Sequence, residues 1–309
     1  MERFPLNYLT FQNHDIKSFC WSWLREINLS IPNLNYKSTL YSGTRNLVLE
    51  NWDGFYKRGF TPEYCENKNI RFAVILSEHL TFRKSNTDVF EEKIPDVPLK
   101  NIAKHFFSLG IENEVDFNNF SKTSSNISSD FTHRTKLLKE YDRFVDFYCT
   151  IGDLPRLETW ANFLKRPQSD FIKIPINKKG LKKTSKFDIN SKILFTGQVT
   201  SYRSDVISDL IKIGLDIEVF PINAFQFNEK SPFFVNNLND EMKNELYKKF
   251  DYILDIPKDI DWPYSSTIRI LDALRQDTDV IVANTVVDST IKEYTTSMSE
   301  YISKLKLAG

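Results

Sequence analysis

Short apolar runs alternate with helix-like patterns over the C-terminal part of the chain. The runs predict strands and the patterns with apolar residues three and four positions apart predict helices. Predicted strands lie at 192–195, 216–220, 251–256 and 279–283. Predicted helices lie at 204–213, 240–250, 266–274 and 289–305. Strands that alternate with helices in this way indicate a parallel sheet in the doubly wound arrangement, whose ligands bind at the carboxyl ends of the strands.

The N-terminal part has the same kinds of pattern at less regular spacing. Predicted strands lie at 8–11, 46–50, 72–76 and 147–151, and predicted helices at 16–27, 99–109, 136–145 and 154–164. The fold class predicted for the whole chain is therefore α/β, with two Rossmann-like domains that have parallel sheets and face a cleft.

A lysine-rich segment with few large apolar residues separates the two patterns. It contains proline and glycine, which is typical of an interdomain linker. We therefore predict an N-terminal domain at 1–175, a linker at 176–191 and a C-terminal domain at 192–309.

Charge and composition exclude several classes of function. The 41 lysine and arginine residues balance 41 aspartate and glutamate residues, so no global field attracts nucleic acid or an anionic membrane. No apolar run reaches the ~20 residues of a membrane span, and a cytoplasmic protein without an integral membrane segment is expected. The histidines and the three cysteines lack metal-ligand spacing, so no metal site is predicted and the cysteines are expected to be buried thiols.

A cluster of hydroxyl side chains begins the predicted helix near position 266. Ser265, Ser266 and Thr267 stand at a helix start, where backbone N–H groups and the positive helix end bind anions. Arg269 lies in the first turn and could reach a phosphate or a carboxylate. The alternative interpretation is an ordinary helix cap followed by a surface arginine.

A second turn of the same predicted sheet also places an arginine near a helix start. Gly197 ends the first C-terminal strand and allows a tight backbone turn, and Arg203 lies near the start of the next helix. The segment is neither a P-loop nor a dinucleotide fingerprint, because it contains one glycine and no Gly-Lys-Ser/Thr. Two such turns at one sheet edge favour a phosphate or nucleotide site.

These segments resemble the donor half of GT-B glycosyltransferases over about the last 115 residues. The similar pieces are Thr196-Gly197, Tyr202-Arg203, Ser265-Ser266-Thr267, the helix from Arg269 to Leu274, and the strand that begins DVIVANT at Asp279. The serine pair at a helix start resembles bacterial transferases that take sialic acid or Kdo from a CMP donor. The two glutamates typical of other retaining GT-B enzymes are absent from 266–274.

The resemblance implies an enzyme that needs neither an essential metal nor a cofactor. Its donor would be a nucleotide-activated sugar, and the serine pair favours CMP-Kdo or a related CMP-ulosonic acid. Its acceptor would be a glycan of a bacterial surface polysaccharide or lipopolysaccharide. Gly197, Tyr202, Arg203, Ser265, Ser266, Thr267 and Arg269 would bind the donor. The acceptor would bind to the N-terminal domain.

Acidic and imidazole side chains at the ends of N-terminal strands are the candidates for catalysis. Asp153 follows a strand and Gly152, and the Gly-Asp-x-Pro turn resembles the turn that carries the catalytic aspartate of retaining β-Kdo transferases. The alternative role of Asp153 is to cap the helix near Pro155. Glu78 and His79 could form an acid/base pair or bind acceptor hydroxyls, and Glu50 and His14 are candidates for acceptor binding.

Two hypotheses follow from the sequence. The first is a retaining, metal-independent glycosyltransferase in which Asp153 acts as nucleophile or base. The second is a non-catalytic α/β protein that binds a nucleotide or a phosphorylated sugar. The second hypothesis requires the C-terminal turns but not Asp153, Glu78 or His79.

Overall fold

The structure is a computed structural model. The chain forms two compact units, with the boundary between Asn177 and Lys178. The described residues are 7–9, 18–31, 35–37, 40–43, 45–50, 52–76, 136–152, 155–183, 187–188, 190–197, 201–221, 240–257, 264–283 and 285–308. Part of the segment predicted as a linker contacts the second unit, since Lys179 accepts a hydrogen bond from Arg275 and Lys183 donates one to the Thr295 carbonyl. The domain boundaries stay a prediction.

The first unit contains a parallel sheet of six strands in the order β2-β1-β3-β4-β5-β6. The strands are β1 (Asn7–Leu9), β2 (Asn35–Lys37), β3 (Arg45–Leu49), β4 (Arg71–Ile75), β5 (Val145–Ile151) and β6 (Phe171–Ile174). The helices are α1 (Ser18–Ser30), α2 (Trp52–Lys57), α3 (Pro62–Asn67) and α4 (Pro155–Leu164), and residues 136–141 are also helical. Every strand pair is parallel.

The second unit contains a parallel sheet of five strands in the order β11-β10-β9-β7-β8. The strands are β7 (Ile193–Gly197), β8 (Ile217–Pro221), β9 (Tyr252–Asp255), β10 (Asp279–Val282) and β11 (Thr295–Ser297). The helices are α5 (Ser201–Lys212), α6 (Asp240–Tyr247), α7 (Thr267–Arg275) and α8 (Met298–Ala308). All pairs are again parallel.

The prediction of an α/β chain with two parallel sheets is confirmed, whereas the cleft between the halves stays a prediction. The last helix was predicted from residue 289, but it begins at Met298 because Thr295 to Ser297 pair with β10 as a strand. The helix predicted at 136–145 ends at Tyr141, and β5 begins at Val145. The helix predicted at 99–109 lies outside the described residues.

Strand order fixes where each sheet can bind a ligand. In the second unit, β7 lies between β8 and β9, so the chain leaves β7 toward one side and later returns on the other. The carboxyl ends of two such strands leave a crevice between diverging connections, and doubly wound proteins bind ligands there. The first unit has the corresponding point between β1 and β3.

Two cysteines of the first unit lie in its core, as predicted. Cys65 and Cys149 are free thiols with no exposed surface. Burial raises the pKa of Cys65 to about 12 and also raises the pKa of Cys149, so both stay protonated at pH 8. A protonated thiol is a poor nucleophile.

We therefore expect iodoacetamide at pH 8 to leave both thiols unmodified in the native protein. The two cysteine peptides, quantified by mass spectrometry, should be alkylated only after guanidinium is added, because unfolding returns each pKa to about 8.5. Alkylation of native Cys65 at the rate of the unfolded chain would contradict the burial described for it.

Candidate functional site

The carboxyl ends of β7 and β9 carry an arginine-rich cluster in the second unit. Gly197 is the last residue of β7, and Asp255 is the last residue of β9. Arg203 comes from α5 and Arg269 from the first turn of α7. The sheet topology thus brings Arg203 and Arg269, both predicted from the sequence, to the crevice where a doubly wound sheet binds ligands.

Asp255 organises the start of α7. Its side chain has no exposed surface. Its Oδ1 lies 2.7 Å from Arg269 Nη1, and its Oδ2 accepts a hydrogen bond of 3.3 Å from the Ser266 backbone N–H. One carboxylate therefore both holds a guanidinium and satisfies a backbone donor at the N-terminus of a helix.

Arg203 is buried against the end of β9. It is 5% exposed, its Nε donates to the carbonyls of Ile256 and Pro257, and its Nη2 donates to Ile256 at 2.8 Å. Burial, followed by the charge of Arg269, lowers the pKa of the Arg203 guanidinium to about 9, while Asp255 acts in the opposite direction. Arg203 is cationic at pH 7 and fixes the backbone that leaves β9.

The two guanidinium groups and Gly197 lie close together. Both guanidinium carbons lie within 6 Å of the Phe195 ring centroid, at 5.6 Å for Arg203 and 5.9 Å for Arg269. A methyl group at position 197 would lie 2.7 Å from Arg269 Nη2, and φ of Gly197 is +136°. The backbone angle favours glycine here, and a side chain at this position would displace the Arg269 guanidinium.

The serine turn differs in part from an ordinary helix cap. Ser266 is the N-cap residue of α7, but its hydroxyl makes no capping hydrogen bond. The Ser265 N–H donates to the Val286 carbonyl, in the bridge that joins Tyr264 to Val286, and the Ser266 N–H donates to Asp255. These two amides are therefore already bonded within the protein. Ser265 and Thr267 are buried, whereas Ser266 is half-buried.

The local charge of the cluster favours an anion. Arg203 and Arg269 contribute two positive charges and Asp255 one negative charge, so the three side chains together carry a net charge of +1. Repulsion between the arginines contributes to the lowered pKa of Arg203. A bound anion would reduce that repulsion, and guanidinium groups bind phosphate and carboxylate oxygens well.

The remaining predicted residues divide into described and undescribed ones. Tyr202 is half-buried in the first turn of α5. Glu50 directly follows β3 at the carboxyl edge of the first sheet, with its side chain buried and its N–H bonded to the Ile75 carbonyl. Four further predicted residues, Asp153, Glu78, His79 and His14, lie outside the described residues.

Asp255 is the site residue that sequence reasoning missed. The sequence contains a sign of this role, because Asp255 directly follows the apolar residues Tyr252 to Leu254, where a buried strand reaches the carboxyl edge of the sheet. Within the described part of the chain, no cluster of three or more histidine, cysteine, aspartate or glutamate residues could hold a metal ion. Among the same residues, no helix is long and apolar enough to cross a membrane.

A scan against models of known protein families finds no match, and a search of curated proteins finds no significant relative.

Proposed function

We propose that the chain is a glycosyltransferase of the GT-B kind, whose second unit binds the phosphate of a nucleotide-activated sugar. The observation that carries the anion site is the pair Arg203 and Arg269 beside Gly197. They lie at the crevice between the carboxyl ends of β7 and β9, where the connections of the second sheet diverge. The transfer reaction is supported by the sequence resemblance. That resemblance favours a CMP-linked ulosonic acid such as Kdo as the donor, a bacterial surface glycan as the acceptor, and a retaining reaction without a metal.

The contacts suggest different roles for the two arginines. Arg203 has Nε and Nη2 bonded to backbone carbonyls, so its part in the proposal is to hold the cluster and add charge. Arg269 uses Nη1 for Asp255, while its Nη2 lies against Gly197, and its side chain is 16% exposed. Arg269 is therefore the proposed direct ligand of the phosphate or of the sugar carboxylate.

The serine hydroxyls complete the proposed donor site. The Ser266 side chain is half-buried and is not used as a helix cap, so it can donate to a phosphate oxygen. The amides of Ser265 and Ser266 have partners inside the protein and take no part in the proposal. Gly197, Tyr202 and Thr267 border the same turns, and Glu50 remains the proposed contact for an acceptor in the first unit.

The proposal predicts that Arg269→Ala weakens nucleotide binding by about 10–100-fold, since a hydrogen bond to a charged group contributes about 1.5–3 kcal/mol. Calorimetric titration of the native protein with CMP, UDP, GDP and ADP should show CMP as the tightest ligand. Arg275→Ala removes an arginine from the last turn of the same helix and should leave binding unchanged.

The outcomes separate the two hypotheses. If the native protein binds none of the four nucleotides at millimolar concentration, the proposed function fails. If it binds a nucleotide but never transfers sugar to any glycan acceptor, the non-catalytic nucleotide-binding protein is the correct description. Equal binding by the native protein and Arg269→Ala would remove Arg269 from the site.

A further inference from the structure

We propose that Asp255 is the positioning residue of the anion site, acting on the ligand through Arg269 and the start of α7. This inference rests on the proposed function. Asp255 is fully buried at the end of β9, and its two oxygens have different partners, Arg269 Nη1 and the Ser266 N–H. The strand that carries it, β9, is the middle strand of the five-stranded sheet.

The first consequence concerns the orientation of Arg269. An arginine side chain ordinarily has many rotamers, and fixing them costs conformational entropy. The 2.7 Å contact with Asp255 holds Nη1, and the other end of the planar guanidinium then lies against Gly197. The ligand thus meets a guanidinium that is already ordered, so binding loses less entropy.

The second consequence concerns the hydroxyl of Ser266. Serine at an N-cap usually accepts a hydrogen bond from the helix backbone through its own oxygen. Here the N-cap side chain makes no such bond, and the carboxylate of Asp255, at the end of β9, lies at the start of α7. Asp255 adds the negative charge that this end of a helix favours and bonds the Ser266 N–H, while the Ser266 hydroxyl is not used as a cap and can meet a ligand.

A different role for Asp255 would be simple compensation of charge. The two roles predict opposite changes in anion affinity for Asp255→Asn. Loss of a compensating negative charge raises the net charge of the cluster from +1 to +2 and should tighten the binding of any anion. Loss of a positioning carboxylate releases Arg269 and should weaken binding despite the added positive charge.

The test is calorimetric titration of the native protein and Asp255→Asn with CMP and with inorganic phosphate. We expect at least a tenfold weaker affinity for CMP in the variant. Asp251→Asn is the matched control, because it makes the same charge change just before the other end of β9, where Asp251 accepts from the Lys192 N–H. The control should bind CMP as the native protein does.

A double variant shows whether Asp255 acts through Arg269. In the Arg269→Ala background, Asp255→Asn should cause little further loss of CMP affinity. The effects of two substitutions on binding free energy are not additive when one residue acts through the other. If Asp255→Asn does not fold, Asp255→Glu keeps the charge but displaces the carboxylate, and it should also bind CMP more weakly.

The failures of the inference and of the proposed function are distinguishable. Unchanged or tighter CMP binding by Asp255→Asn, or native affinity in Asp255→Glu, overturns the positioning role while the nucleotide site remains. Absence of CMP binding by the native protein overturns both.

Discussion

Replacing Trp52 with alanine is expected to lower the free energy of unfolding of the first unit by about 3–5 kcal/mol, the usual cost of deleting a buried tryptophan side chain. Trp52 is 1% exposed at the start of α2. Its ring is stacked on Tyr141 with 4.7 Å between centroids, and it meets Phe72 edge-on at 5.9 Å. The cavity left by Trp52→Ala would therefore open between a helix, the central strand β4 and the helical residues 136–141.

Amide hydrogen exchange in β4 and β5 measures this loss in the first unit, because buried amides of a central sheet exchange only when the unit unfolds. Tyr56→Ala is the matched control on the same helix, since Tyr56 is 53% exposed and its loss should change stability by less than about 0.5 kcal/mol. Equal effects of Trp52→Ala and Tyr56→Ala would show that the aromatic cluster does not stabilise the sheet.

The elements that sequence analysis predicted best are the strands in the interior of each sheet, which are buried on both faces. Such strands are continuous apolar runs, as in β4, β5, β9 and β10, and their residues are almost all buried. The missed strands, β2, β6 and β11, are short and carry polar side chains, so they form no continuous apolar run. Each lies at a sheet edge. Their pairing depends on a neighbour distant in sequence, which no local pattern contains.

Sequence analysis could predict only the part of the site that depends on local turn chemistry. Gly197 and the serines at 265 and 266 have local turn chemistry that can be read directly. The partners of their backbone groups are not local, because the Ser265 N–H bonds to Val286 and the Ser266 N–H to Asp255. The helix start that the sequence predicts as a phosphate site is therefore partly occupied by the protein itself, so the proposed site depends more on the side chains of Arg269 and Ser266.

Asp153→Asn is expected to reduce glycosyl transfer by about 10²–10⁴-fold, the usual contribution of a positioned acid or base, while CMP binding is retained. The proposed transition state has oxocarbenium character, which an adjacent carboxylate stabilises and a neutral amide does not. Asp153 itself lies outside the described residues. The preceding residue, Gly152, is buried, has a φ of +112° and directly follows β5. Two residues after Asp153, helix α4 begins at Pro155.

The same substitution separates catalysis from helix capping, which is the other role open to Asp153. Asparagine caps helices about as well as aspartate, so Asp153→Asn should leave the thermal unfolding midpoint nearly unchanged under either role. Release of CMP from a CMP-linked ulosonic acid in the presence of a glycan acceptor is the measurement. Glu158→Gln, which neutralises an exposed carboxylate in the first turn of α4, should keep full turnover. Normal turnover by Asp153→Asn would leave that residue only the structural role, and the nucleophile would then have to be sought among the other carboxylates of the first unit.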